Sequence, residues 1–424
     1  MKHKKSPNIN LSLFIHLSLF ISLSLFYSNE MIGQPLDDLL SIAETNNYEL
    51  KALEQEYLAA LEKAPQVSQL PDPEVSLGLF ALPAETRLGP QRIAFGASQM
   101  FPWKGTLNAR KAIALSNASV SFERITATKL DLFYQVKMAY LELYELNQSM
   151  EIIQGNIMLF KALESTALAK TESGKGSIAD VLRTQLKLKE LDQKLKIIAN
   201  QKSIAQATLN QALGRPADVQ VQVTDEFEPA ELIFDKDSLA ENIREHHPML
   251  TMYSLQQESA RKEMDLNTLN GKPSFGVGLD YILVGKRSDA NPESNGRDIL
   301  VPKIKMTVPL NRKKYTARAQ EEQLRITALE NRKEDLQLKF MAGIEKAYAD
   351  YEDAILKLEL YQQQIKITQS VIDILQESYT NSGNSFDELL RLENDLVNYE
   401  MDILKATVKS HKAKIEIERY LIDY

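Results

Sequence analysis

Two hydrophobic rhythms alternate along this chain, and each occurs twice. Four short runs have a strict period of two. In residues 74–82, Val75, Leu77, Leu79 and Ala81 share one face, while Glu74, Ser76 and Gly78 share the other. In 92–103 the apolar face is Ile93, Phe95, Ala97, Phe101 and Trp103, interrupted by Gln99. In 274–284 it is Phe275, Val277, Leu279, Tyr281 and Leu283, opposite Ser274, Gly276, Gly278 and Asp280. In 300–310 it is Leu300, Ile304, Met306, Val308 and Leu310, opposite Val301, Lys303, Lys305 and Thr307. Alternation of this kind is the mark of a β-strand with two unlike faces. Runs of about ten residues suit tilted strands crossing a bilayer, apolar side to lipid and polar side to a wet lumen. On that reading Phe101 and Trp103 form an interfacial girdle, and Asp280, Lys303 and Lys305 line the lumen. Periodicity alone equally allows two ordinary hairpins packed on helices.

The second rhythm is helical. No proline occurs between Lys104 and Arg215, or from Asn311 to Tyr424. Within the first of these stretches, residues 105–171 can form one helix of roughly 100 Å at ~1.5 Å per residue. Apolar residues recur there at three-four spacing: Phe133, Val136, Tyr140, Leu143, Met150 and Ile157. A return helix carries Val181, Leu188, Leu191, Leu195 and Ile198. The second half gives Leu358, Tyr361, Ile365, Ile372, Leu375 and Tyr379, then Leu389, Leu396, Tyr399, Ile403 and Ala406. These are coiled-coil seams, and they predict antiparallel pairs turning near 174–177 and 383–385.

Both rhythms repeat because the chain is duplicated. At an offset of 200, Leu50 falls on Leu250, Ala60 on Ala260, Pro73 on Pro273 and Gly78 on Gly278. The offset grows to 207 at Pro102 and Pro309, and to 208–209 where Ser173-Gly174 meets Ser382-Gly383. An insertion in the polar loop GKRSDANPESNGR explains the slip. The expected organisation is a first repeat over 35–214, with a β-hairpin at 73–103 and long helices over 105–213. A linker rich in Pro, Asp and Glu spans 215–236. The second repeat, 237–424, has its hairpin at 273–310 and its long helices over 312–424.

Composition narrows the choice. Among 424 residues there is no cysteine, which removes disulfides, thiolate sites, cysteine catalysis and a lipidated N-terminal cysteine. A net charge of −8 argues against a basic nucleic-acid surface. Residues 1–34 begin with three lysines within Met1–Lys5 and continue into a serine-diluted apolar run, the order of a secretory signal peptide. No later stretch is apolar enough to span a membrane as a helix, so strands must do so if the protein is inserted. Four strands cannot close a barrel, and open edges are not tolerated in lipid, so the barrel must be completed by further copies.

The pairs QMFPWKG and VPLNRKK, LPDPEVSLG and KPSFGVG, and the turn motifs SGKGSIADVL and SGNSFDELL resemble the TolC-type outer-membrane efflux family over about 37–424. The resemblance implies a homotrimer with a twelve-stranded β-barrel and an α-helical barrel closed at a periplasmic tip. It implies a place in the Gram-negative outer membrane, with a periplasmic adaptor and an inner-membrane pump of the resistance-nodulation-division type as partners. The heavy-metal and drug branch is the most similar. Family members carry acidic residues in the tip helix; here Asp387 and Glu388 stand there, with Arg391 in place of a second acid, and Asp180 and Arg183 at the first-repeat equivalents. No cofactor, nucleic acid or enzymatic activity is implied. Related alternatives are a channel for type I protein secretion and, outside the family, a periplasmic coiled-coil adaptor. The run HHPMLTM from His246 invites a copper or zinc site. Its repeat partner around Tyr48 and Leu50 has no such ligands, which favours an ordinary helix start and no metal. No phosphate loop, nucleophile elbow or metalloprotease helix occurs.

Overall fold

The computed structural model describes residues 35–382 and 385–421; the signal-like segment and part of the 382–385 turn lie outside the described residues. The chain is mainly α-helical, with one small antiparallel sheet. Short helices α1 (Leu36–Asn46), α2 (Tyr48–Leu61) and α3 (Lys63–Val67) lead to strands β1 (Glu74–Leu79), β2 (Glu85–Thr86) and β3 (Gly89–Phe101). Long helices α4 (Thr106–Glu172, 67 residues) and α5 (Ile178–Ala212, 35 residues) follow. The pattern then returns: α6 (Lys236–His246), α7 (Pro248–Asn270), β4 (Ser274–Val284) and β5 (Ile299–Thr307). It ends with α8 (Lys313–Ser382, 70 residues) and α9 (Phe386–Glu418, 33 residues).

Matching helix starts make the duplication visible in side-chain chemistry. Asn47 caps α2 by accepting from the amides of Glu49 and Leu50 at 2.9 and 3.1 Å. Two hundred residues on, His247 caps α7, its Nδ1 accepting from the Met249 amide at 3.2 Å. Such caps satisfy donors that have no partner within the helix.

Three strands end earlier than alternation suggested, whereas β3 begins sooner, at Gly89, and β4 keeps its expected bounds. The chain bends after Phe80, ahead of Pro83, so Ala81 is not in β1. Trp103 falls beyond β3, and Val308 and Leu310 beyond β5. Each of these two ends lies at a proline, Pro102 or Pro309, which offers the ladder no N–H and restricts its predecessor; Pro302 is accommodated inside β5, an edge strand of the described sheet.

The described chain divides into two compact units, and each draws on both repeats. One combines the stretch ending at Asn46 with Gln135–Ala230 and Asp353–Lys412. One cluster of its core draws on all four long helices. Ile153 and Phe160 come from α4, Leu191 and Ile198 from α5, Ile372 from α8, and Leu389 and Val397 from α9. The inter-repeat segment is pinned here. Phe227 meets the rings of Tyr144 and His411 edge-on, and Asp225 accepts from Tyr140 Oη at 2.8 Å.

The other unit combines Asn47–Tyr134, Glu231–Glu352 and the stretch from Ala413. It contains the sheet and a helical core of Ile243, Leu250, Phe340, Ile344 and Tyr420. His247 is buried in this core, 4.3 Å from the Phe340 ring.

Candidate functional site

The sheet has the order β1-β3-β4-β5, with β2 paired to β3 alone. The two repeats join at its centre, where β3 and β4 pair antiparallel from Phe101↔Phe275 to Gln91↔Val284. Register carries one face across all four strands. Leu77 lies beside Phe95, Phe95 beside Tyr281, and Tyr281 beside Leu300. Ala97, Leu279 and Pro302 form the next row. That face is apolar and unsheltered: Val75 is 82% exposed, Leu279 45% and Ile304 87%. A hairpin packed on helices would hide these residues. At one end of the face, Phe101 pairs with Phe275, and the Trp103 ring lies 6.3 Å from Phe275, so the aromatic residues gather although Trp103 is outside the strand.

The opposite face is polar and internally matched. Lys303 forms an ion pair with Asp280. Lys305 donates to Ser98 Oγ at 2.8 Å and lies 3.6 Å from the Glu74 carboxylate. Close packing accompanies this network. A Cβ at Gly96 would meet Ser76 Oγ at 2.5 Å and Asp280 Oδ1 at 2.8 Å, so glycine leaves room for both. At the far end Gly89, at φ +129°, lies against the Gly285 carbonyl, where any Cβ would clash. Within the described chain β1 and β5 pair on one side only.

The turn end of the long helices lies in the other unit. Ser177 caps α5, accepting from the Ala179 amide at 3.2 Å. Asp180 is buried, and its charge together with burial raises the Tyr379 phenol above its ordinary range, burial being the larger cause. Tyr379 packs with Ala167, Val181 and Phe386. Lys170 reaches from α4 to the end of α8, donating to the carbonyls of Tyr379 at 2.5 Å and Thr380 at 3.0 Å. A cation is favoured at a helix C-terminus for the same reason that free carbonyls collect there.

Asp387 is paired across the repeats with Arg183 at 3.2 Å, both exposed. Glu388 and Arg391 are exposed on α9 and form no ion pair with each other among the described residues. Sequence reasoning passed over Glu393. It is 2% exposed, accepts from Gln376 Nε2 at 3.3 Å, and burial raises its carboxyl above the usual range. Its spacing of four from both Leu389 and Val397 was the available signal, since it places an acid in the seam. His247, weighed above as a metal ligand, instead spends Nδ1 on the helix cap. Burial, then Arg419, hold its imidazole down to about 4. No group of three or more His, Asp or Glu suited to a metal occurs among the described residues. Nor does any described helix have the length and apolarity to cross a membrane.

The fold defined by these helices and this sheet is that of outer-membrane channels. The outer-membrane channel OprN aligns with a TM-score of 0.73 at 15% identity, over 91% of this chain and 89% of its own. CusC aligns at 0.74 and 14% identity, over 92% of each chain; its structures concern transmembrane channel formation. The open state of Neisseria gonorrhoeae MtrE aligns at 0.70 and 16%, over 91% of this chain and 88% of its own. No curated protein sequence matches significantly. Residues 39–215 match the model of the outer membrane efflux protein family. That match spans the first repeat, and members of that family are channels rather than enzymes.

Proposed function

We propose that three copies of this protein form the outer-membrane duct of a tripartite efflux system. Substrates pass from the periplasm to the exterior, and a periplasmic adaptor and an inner-membrane pump supply the drive. The observation that carries this reading is the sheet: one continuous apolar face, one ion-paired polar face, and two unpaired edges. In hydrocarbon every ladder group needs a partner, so β1 and β5 pair with the neighbouring copies. Twelve strands close around a lumen lined by Asp280, Lys303 and Lys305.

Exposed seams on the long helices support the same assembly. Ile178, Leu182, Leu186, Ile197 and Ile204 lie bare on α5, and Leu356, Leu360, Ile367 and Ile374 on α8. Apolar stripes of this length are covered in a stable protein. The 1–34 segment directs export and is removed, and without cysteine the mature chain is not lipidated. Asp387, Glu388 and Arg391, with Asp180 and Arg183, surround the closed periplasmic end. The substrates are those of the heavy-metal and drug branch.

Purified protein in mild detergent is expected to run as a heat-modifiable trimer, and its planar-bilayer conductance should rise in Arg391→Glu, which adds like charge at the closed end. A monodisperse water-soluble monomer would sink the barrel. Normal trimers with parental conductance in Arg391→Glu would place the constriction elsewhere.

A further inference from the structure

The long helices carry a charge pattern that neither a lipid-facing sheet nor a closed turn requires. Helices α5 and α9 enclose a groove of about 570 Å³. Arg183, Lys187 and Lys194 reach it along one stripe of α5, at spacings of four and seven. Arg391 reaches it from α9 and is the repeat partner of Arg183 at an offset of 208. Facing positions on paired helices ordinarily carry opposite charges. Here an arginine is set among cations.

Counter-charge is present for only half of them. Arg183 has Asp387 at 3.2 Å, and Lys187 has Glu190 at 3.0 Å. Neither Lys194 nor Arg391 has an ion-pair partner among the described residues. Screening is incomplete, because the Lys187 side chain is only 16% exposed and the groove floor is the buried pair Leu191 and Val397. Asn394 and Asn398 add amide donors from α9. Like charges lining one groove repel unless an anion arrives, and guanidinium and ammonium groups together suit phosphate or carboxylate oxygens.

We propose that this groove binds a multivalent oxyanion, with Lys194 and Arg391 as its main contacts and Arg183 and the asparagine amides completing the shell. The consequence for transport rests on the channel reading above: an anion site would then lie near the closed end, although the tip helix begins with acids. Binding itself does not depend on that reading.

The test is calorimetric titration of the full-length protein in mild detergent at low salt, with tripolyphosphate in one arm and citrate in the other. One saturable site per chain is expected for at least one probe. Lys194→Gln combined with Arg391→Gln weakens it by about tenfold or more, the scale of a lost charge-assisted hydrogen bond. Raising ionic strength weakens it further. Lys339→Gln, a cation of the other unit, leaves it unchanged. Glutamine is a good helix former, and circular dichroism verifies the fold of each variant. Absence of saturable binding, parental affinity in the double variant, or equal loss in Lys339→Gln overturns the site. Preference for one probe decides between phosphate and carboxylate. Because no membrane or flux enters the measurement, a negative result leaves the channel reading standing, and a protein that binds but does not conduct refutes only the channel.

Discussion

Leu279→Arg tests the membrane face where its cost is greatest. The apolar stripe of β4 runs from Phe275 to Leu283, with Leu279 at its midpoint. Eight residue steps at about 3.3 Å, tilted by about 40°, give a band roughly 20 Å tall, close to the ~25 Å apolar belt of a membrane barrel. Arginine at the middle of such a belt costs about 2–4 kcal/mol, a factor of roughly thirty to several hundred in the folding equilibrium of each copy. In water the same change costs little, because Leu279 is already 45% exposed. The penalty therefore belongs to lipid and not to packing within the chain. Ser76→Arg is the control. Ser76 pairs with Gly96 on the opposite face, within reach of the Asp280 carboxylate, so a cation there gains a partner. Gly276, also on that face, is unsuitable, since a Cβ would strike Met100 Sδ. Urea unfolding in phosphatidylcholine vesicles, followed by gel mobility, should show Leu279→Arg unfolding at much lower urea and Ser76→Arg near the parent. Equal behaviour would show that the exposed face meets water or another protein.

Three further outcomes follow from the cores. His247 is neutral when folded, with its pKa lowered from 6.5 to about 4, so the unfolded chain binds the extra proton and stability is lost as pH falls through that window. From about pH 7.5 to about pH 5 the loss is about 2 kcal/mol; His247→Asn, which keeps the cap that Asn47 makes, should flatten the dependence in urea melts. Phe160→Ala empties a fully buried position among four helices and should cost about 3–5 kcal/mol, whereas Ile204→Ser, at a 68% exposed position, should spare the protomer and weaken the trimer on native gels. Lys170→Met removes both hydrogen bonds at the end of α8, and amide exchange there should quicken by an amount matching roughly 1–3 kcal/mol.

Local patterns were legible in the sequence because their physics is local. A period of two fixes which side chains share a strand face whatever the partner, so the lipid-like faces that carry Leu77, Phe95, Leu279 and Ile304 could be read strand by strand before any pairing was known. Proline-free stretches with three-four spacing marked the long helices, and the duplication was plain from Pro73, Pro273, Pro102 and Pro309. Contacts between residues some two hundred positions apart had no such signature. Only the folded chain joins β3 to β4 across the repeats, sets Arg183 against Asp387, and brings Lys194 and Arg391 to one groove. It also decides that each compact unit takes parts of both repeats, and that His247 serves a helix cap inside an aromatic core. Periodicity states which way a side chain faces along its own element. What it faces depends on how distant elements pack, and that choice is made by the burial of whole surfaces together.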